Sequence, residues 1–149
     1  MQDFIEKSIE LKAPVARVWQ ALTDHQEFGQ WFRVKLDGPF KVGEVSRGRM
    51  TYPGYEHFRW EARVQAMEPE RLFSFTWCPY SDDPDVDYST QPQTLVEFRL
   101  EAAGTGTLLH ISESGFSALP DDARRVNALR MNTQGWDEQA KNIAAHVES

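Results

Sequence analysis

The sequence has a single cysteine, Cys78, in 149 residues. That excludes an intrachain disulfide and a cysteine-built zinc site. No apolar run reaches the roughly 18 residues that a bilayer-spanning helix needs. Basic residues are scarce: 16 Lys plus Arg stand against 23 Asp plus Glu, for a net charge of -7. A field of that sign repels phosphate backbones and anionic lipid, so nucleic acid and membrane surfaces are not expected partners. The four histidines, His25, His57, His110 and His146, are too far apart to form a metal-binding motif. An iron site of two histidines and one carboxylate would need two of them facing inward. His110 is out of phase with its apolar neighbours, and His25 follows Asp24 near a helix start, so both are expected to be solvated. Asp83, Asp85 and Asp87 alternate like the opening of a calcium loop. However, Tyr88 stands where that loop needs glycine and Thr94 where it needs glutamate. A Gly-x-Ser-x-Gly nucleophile elbow is absent. Gly104-Thr105-Gly106 lacks the third glycine of a dinucleotide fingerprint and reads as a hairpin turn. Cys78 has no basic neighbour in sequence to activate its thiol. No cofactor, metal or catalytic nucleophile is therefore expected. The acidic start of the chain, where a secretion signal would carry base, leads to the expectation of a cytoplasmic protein.

The composition is that of a globular chain, 40% hydrophobic and 26% charged, and its length fits a single domain over 1–149. Ile5, Ile9 and Leu11 share one face of a strand over 4–11. Pro14 can open a helix at its first position. Val15, Val18, Trp19 and Leu22 have helical spacing, and Thr23-Asp24 ends this helix or caps the next. Phe28, Trp31 and Phe32 mark a second short helix. The middle of the chain alternates: Phe58, Trp60, Ala62, Val64 and Ala66 on one strand, Phe73, Phe75 and Trp77 on the next, then Val96, Phe98 and Leu100, then Leu109 and Ile111. An acidic, proline-containing loop at 79–92 is long enough to be functional or mobile. From Pro120 onward, Val126, Leu129, Thr133, Trp136, Ala140, Ile143 and Val147 are spaced alternately by three and four. This is one long amphipathic helix with a single buried stripe.

This order, a run of strands ahead of one long helix, indicates an α+β fold with an antiparallel sheet. Seven strands at ~4.8 Å spacing make a sheet about 29 Å wide. One helix is only ~10–12 Å wide. The sheet must curl around the helix or leave apolar surface bare, and a groove or cavity is expected between them. The inward rings Phe58, Trp60, Phe73, Phe75, Trp77 and Phe98 either line that space or interlock and fill it. A pocket lined by rings needs few, convergent polar groups. Glu113, in phase with Leu109 and Ile111, is the best candidate. Lys7 is in phase with Ile5 and Ile9 and either meets Glu113 or reaches solvent.

Several stretches resemble a known family. Val18-Trp19, Leu22-Thr23-Asp24, Phe28 and Trp31-Phe32 resemble the opening of the SRPBCC, or START-like, superfamily, in the branch named after the activator of heat shock protein 90 ATPase. Glu68-Pro69-Glu70-Arg71-Leu72 with Phe75-Thr76-Trp77, Gly106-Thr107-Leu108-Leu109 with Glu113-Ser114-Gly115-Phe116, and Gly135-Trp136 resemble later parts of the same branch, in the same order. The resemblance spans essentially the whole chain. It implies a helix-grip fold, a seven-stranded curved antiparallel sheet around the C-terminal helix with two short helices after the first strand. It also implies a hydrophobic ligand cavity but no particular reaction.

The expected function is binding of a small hydrophobic or aromatic molecule between sheet and helix. Its site is expected to draw on Trp31, Phe58, Trp60, Phe75, Trp77, Phe98, Ile111, Glu113, Trp136 and Ala140. Tyr52 or Arg49 could help orient a polar end, and the 79–92 loop could gate entry. Trp31 is also expected to anchor its short helix. Gly135, mid-helix, is expected to serve close packing of the helix against the sheet or Trp31, and alternatively to let the helix bend over a cavity mouth. Two other functions stay open: a chaperone co-factor connected with the stress response, and a cyclase- or aromatase-like enzyme acting through Glu113. The chain is expected to be a monomer or homodimer.

Overall fold

The computed structural model describes residues 4–79, 91–119 and 123–148, the last from residue 125 where side chains are concerned. Most of the acidic loop, with Asp83, Asp85 and Asp87, lies outside the described residues, and so does Pro120. The first strand, β1 (Phe4–Leu11), is followed by helices α1 (Val15–Thr23) and α2 (His25–Phe32). Six strands come next: β2 (Val34–Leu36), β3 (Val45–Met50), β4 (Arg59–Glu68), β5 (Leu72–Trp77), β6 (Thr94–Ala103) and β7 (Gly106–Ser114). A 3₁₀ turn at Phe116–Ala118 then leads toward the long helix α3 (Ala123–Glu148). The strands form one antiparallel sheet in the order β1-β7-β6-β5-β4-β3-β2. It is the α+β helix-grip arrangement expected from the element order, with α3 packed along β1 and against α1 and α2.

Local chemistry sets the ends of the short helices. Pro14 is the N-cap of α1 and not its first residue, because its extended ψ of 157° lies outside helical space. Asp24 separates the two helices. Its carboxylate accepts from the backbone N–H groups of Gln26 and Glu27, two donors that no helical carbonyl can satisfy. Arg33 ends α2 in the left-handed region at φ 68°, and its carbonyl accepts from Thr51 N–H at 2.9 Å. Gly29 is required by contact: a Cβ there would sit 2.4 Å from the Val34 carbonyl oxygen.

The inner rings interlock. Phe28 lies 4.9 Å from both Trp31 and Phe32, 5.3 Å from Phe40 and 5.5 Å from Trp60. Phe73 stacks on Phe98, and Phe75 packs edge-on against Trp60. Offset and edge-to-face pairs of this kind add to the gain from burial alone. Buried indole N–H groups are satisfied, with Trp31 donating to the Ala21 carbonyl and Trp60 to the Ser46 hydroxyl. Through the middle of the grip, the rings therefore fill the space as core.

Several sequence expectations need correction. Phe58 stands just ahead of β4, half-buried against Tyr55 and His57. A register shift between Val64 and Ala66 interrupts the alternation of β4, and Met67 packs against the core beyond it. Among the described residues the buried stripe of α3 begins at Ala128, whereas Val126 is 51% exposed. A Cβ on Gly135 would meet nothing within 4 Å, so close packing does not explain this glycine.

Candidate functional site

The sheet register brings the C-terminal ends of β5 and β7 and the start of β6 to one end of the grip. Glu113, the penultimate residue of β7, faces inward there with no solvent exposure. Its alternation with Leu109 and Ile111 aims it at α3. Trp77 at the end of β5 pairs with Thr94 at the start of β6, and both reach Glu113. Oε2 accepts from Trp77 Nε1 at 2.7 Å and from Thr94 Oγ1 at 2.6 Å. Oε1 accepts from Trp136 Nε1 at 2.9 Å. The amide of Asn132, one helical turn before Trp136, donates to both oxygens at 2.9 and 3.1 Å. The Trp77 and Trp136 rings stack beside the carboxylate, 5.8 Å apart. Phe32 and Phe98 pack on Trp136 from the deep side.

None of these four partners carries a charge. Burying a carboxylate costs several kcal/mol unless its lone pairs are filled, and here neutral donors fill them. Lys7 does not contribute: its ammonium lies 3.0 Å from Asp137 on α3, and the β1–β7 register sets Lys7 opposite Ile111 and Ile5 opposite Glu113. That ion pair spans a solvent-open groove of about 590 Å³ between β1 and α3.

The expected site residues divide. Glu113, Trp77 and Trp136 form the node, with Phe98 packed behind it. Trp31, Trp60, Phe75 and Ile111 are core. Trp31 reaches Phe98 only at 6.5 Å and is fixed by its bond to Ala21. Ala140 lines the outer groove. Phe58 and Tyr52 belong to an aromatic group in the β3–β4 loop, where the Arg33 guanidinium lies 5.6 Å over the Tyr52 ring. Arg49 is exposed, opposite Lys35 and Arg59. His110 faces out, as expected, between Ser8 and Glu101. Thr94 and Asn132 were not anticipated. Thr94 is in phase with Val96 and Phe98, and Asn132 lies four residues before Trp136, so each carried a period signal that its polarity masked. Among the described residues no group of three or more His, Cys, Asp or Glu could hold a metal ion. No described helix is long and apolar enough to cross a membrane.

A curved antiparallel sheet closed over one long helix, with its polar node at one end, defines a helix-grip protein of the SRPBCC type. The chain belongs to the family described as Activator of Hsp90 ATPase homolog 1-like protein, whose family model matches residues 12–148. No curated protein matches the sequence. Among solved structures, protein MLL2253 from Mesorhizobium loti is 26% identical, with a TM-score of 0.75 over 97% of this chain and 96% of that one. DynU16, a putative protein in the dynemicin biosynthetic locus, is 23% identical with a TM-score of 0.74. The match covers all of this chain but only 48% of DynU16, so the chain spans about half the length of that relative. The Aha1 dimer from Colwellia psychrerythraea is 15% identical, with a TM-score of 0.72 over 99% of this chain and 97% of that one. The last two likenesses concern the fold.

Proposed function

We propose that the protein binds a small hydrophobic or aromatic molecule at the Glu113 end of the grip, between the ends of β5–β7 and the first half of α3. One observation carries this reading. A fully buried carboxylate is held there by neutral donors from three different elements, and two of those donors, Trp77 and Asn132, are themselves only partly buried. The half-buried Trp77 ring, stacked on the buried Trp136, offers an apolar face, and burying a ligand against it provides ~25 cal/mol per Å². Binding is favoured over turnover because both carboxylate oxygens are occupied by donors and no second titratable group contacts Glu113 among its described hydrogen bonds. The chaperone co-factor reading keeps the support of the family description, and a homodimer that of the Colwellia neighbour.

The test is a thermal-shift panel of aromatic and lipid-like compounds. A ligand present at 100 times its Kd adds about 2.7 kcal/mol, which is several degrees in Tm for a chain of this size. The reading expects at least one such shift, and expects Trp77→Ala to abolish it. If no compound shifts Tm, or if the shift is unchanged in Trp77→Ala, this site is the wrong one.

A further inference from the structure

The two halves of α3 are held in different ways. Its C-terminal half buries Trp136, Ala140, Ile143 and Val147. It is also tied down by Lys7–Asp137, by Gln139 donating to the Phe32 carbonyl, by His146 with Glu27, and by Glu148 accepting from Lys12 N–H. In the half before Gly135, Ala128 is the one buried side chain among the described residues and Leu129 packs half-buried against the core, while Val126 and Met131 are 51% and 56% exposed. Asn132 fastens this half to the sheet through Glu113. Gly135 separates the halves, in a place where neither contact nor a left-handed backbone calls for glycine. A helical segment of about 12 residues with little apolar burial is marginal on its own.

Resting on the binding site just described, we propose that the first half of α3 is a latch that unwinds back to Gly135, and that the ligand carries a hydrogen-bond-donating head that takes the place of the Asn132 amide on Glu113. When Asn132 leaves, Glu113 keeps Trp136 on Oε1 and Trp77 and Thr94 on Oε2, so opening does not strand the buried carboxylate. The vacated position faces an acidic oxygen beside two indole rings. That surrounding favours a protonated amine on an apolar body, through charge-assisted hydrogen bonding and cation–π contact. It disfavours a carboxylic acid of the same skeleton.

Two measurements test this separately. In hydrogen exchange of the ligand-free protein, amides of 126–134 exchange much faster than those of 140–148. Gly135→Ala slows the first group about fivefold, from its helix propensity alone, and leaves the second unchanged. Asn132→Ala speeds the first group about tenfold or more, from the loss of its bonds to a charged group. Uniform exchange along α3, or equal responses of both halves, overturns the latch. For the ligand, 4-phenylbutylamine and 4-phenylbutanoate form a matched pair of probes. The amine binds more tightly, and Asn132→Ala, which removes the competing donor, tightens it several-fold. Equal binding of amine and acid, or weaker amine binding in Asn132→Ala, overturns the donor exchange while leaving aromatic binding at the site standing. Failure of both probes and of the wider panel, with the exchange pattern as stated, counts against the ligand reading and not against the latch.

Discussion

Glu113 is where the residue-scale argument concentrates. Replacing it with Leu leaves two indole N–H groups, an amide and a hydroxyl without their shared acceptor, and is expected to cost about 2–4 kcal/mol in urea unfolding. Thr94→Val is nearly isosteric and removes one donor of four, so about 1–2 kcal/mol is expected. A smaller loss for Glu113→Leu than for Thr94→Val would mean that the carboxylate is not the organising group. A second carboxylate sets the acid response. Burial works to raise the Glu27 carboxyl, but hydrogen bonds from His146 and Arg17, and the charges of those groups, outweigh it and leave the group below its ordinary value. A carboxyl depressed in the folded state stabilises above its unfolded value of about 4.3, and that contribution fades as pH falls through the lower folded value. The stability gap between wild type and Glu27→Gln is therefore expected to stay level down to about pH 4.3 and to shrink as pH falls further, as read by denaturant melts at each pH. A gap independent of pH would contradict the assignment.

At the scale of elements, legibility followed period and failed where polarity or irregularity broke it. The alternation of Val96, Phe98 and Leu100 and of Leu109 and Ile111, with the Phe28, Trp31, Phe32 spacing, put those residues on their observed elements. Asp24 was readable as a cap because a carboxylate before an apolar helix start has a specific job, and Asp24→Ala is expected to cost about 1 kcal/mol in thermal or urea unfolding. β2 and β3 carry little apolar pattern, VKL and VSRGRM, and could not be placed beforehand. In α3 the three-four rhythm caught Trp136, Ala140, Ile143 and Val147. It misassigned Val126 because Asn132 takes a place on the inward side by hydrogen bonding, which no hydrophobic count detects. Glu113 was found by phase alone. Its pairing with neutral donors, and not with Lys7, follows from a register that only the folded sheet reveals.

For the molecule as a whole, the disparity in breadth between seven strands and one helix foretold the curved sheet correctly. The matching expectation of a hollow met a different solution in the middle of the grip, where Phe28, Trp60, Phe73, Phe75 and Phe98 occupy the space. The ligand site proposed above lies instead at the Glu113 end, apart from the open groove between β1 and α3. That claim has a direct readout, because the chain has five tryptophans and each indole N–H gives its own signal in a nitrogen–proton correlation spectrum. Titration with an aromatic amine is expected to move the signals of Trp77 and Trp136, both bonded to Glu113, and to leave Trp19, Trp31 and Trp60 in place. Movement of Trp31 and Trp60 without Trp77 and Trp136, or no movement of any of the five at millimolar ligand, would contradict it.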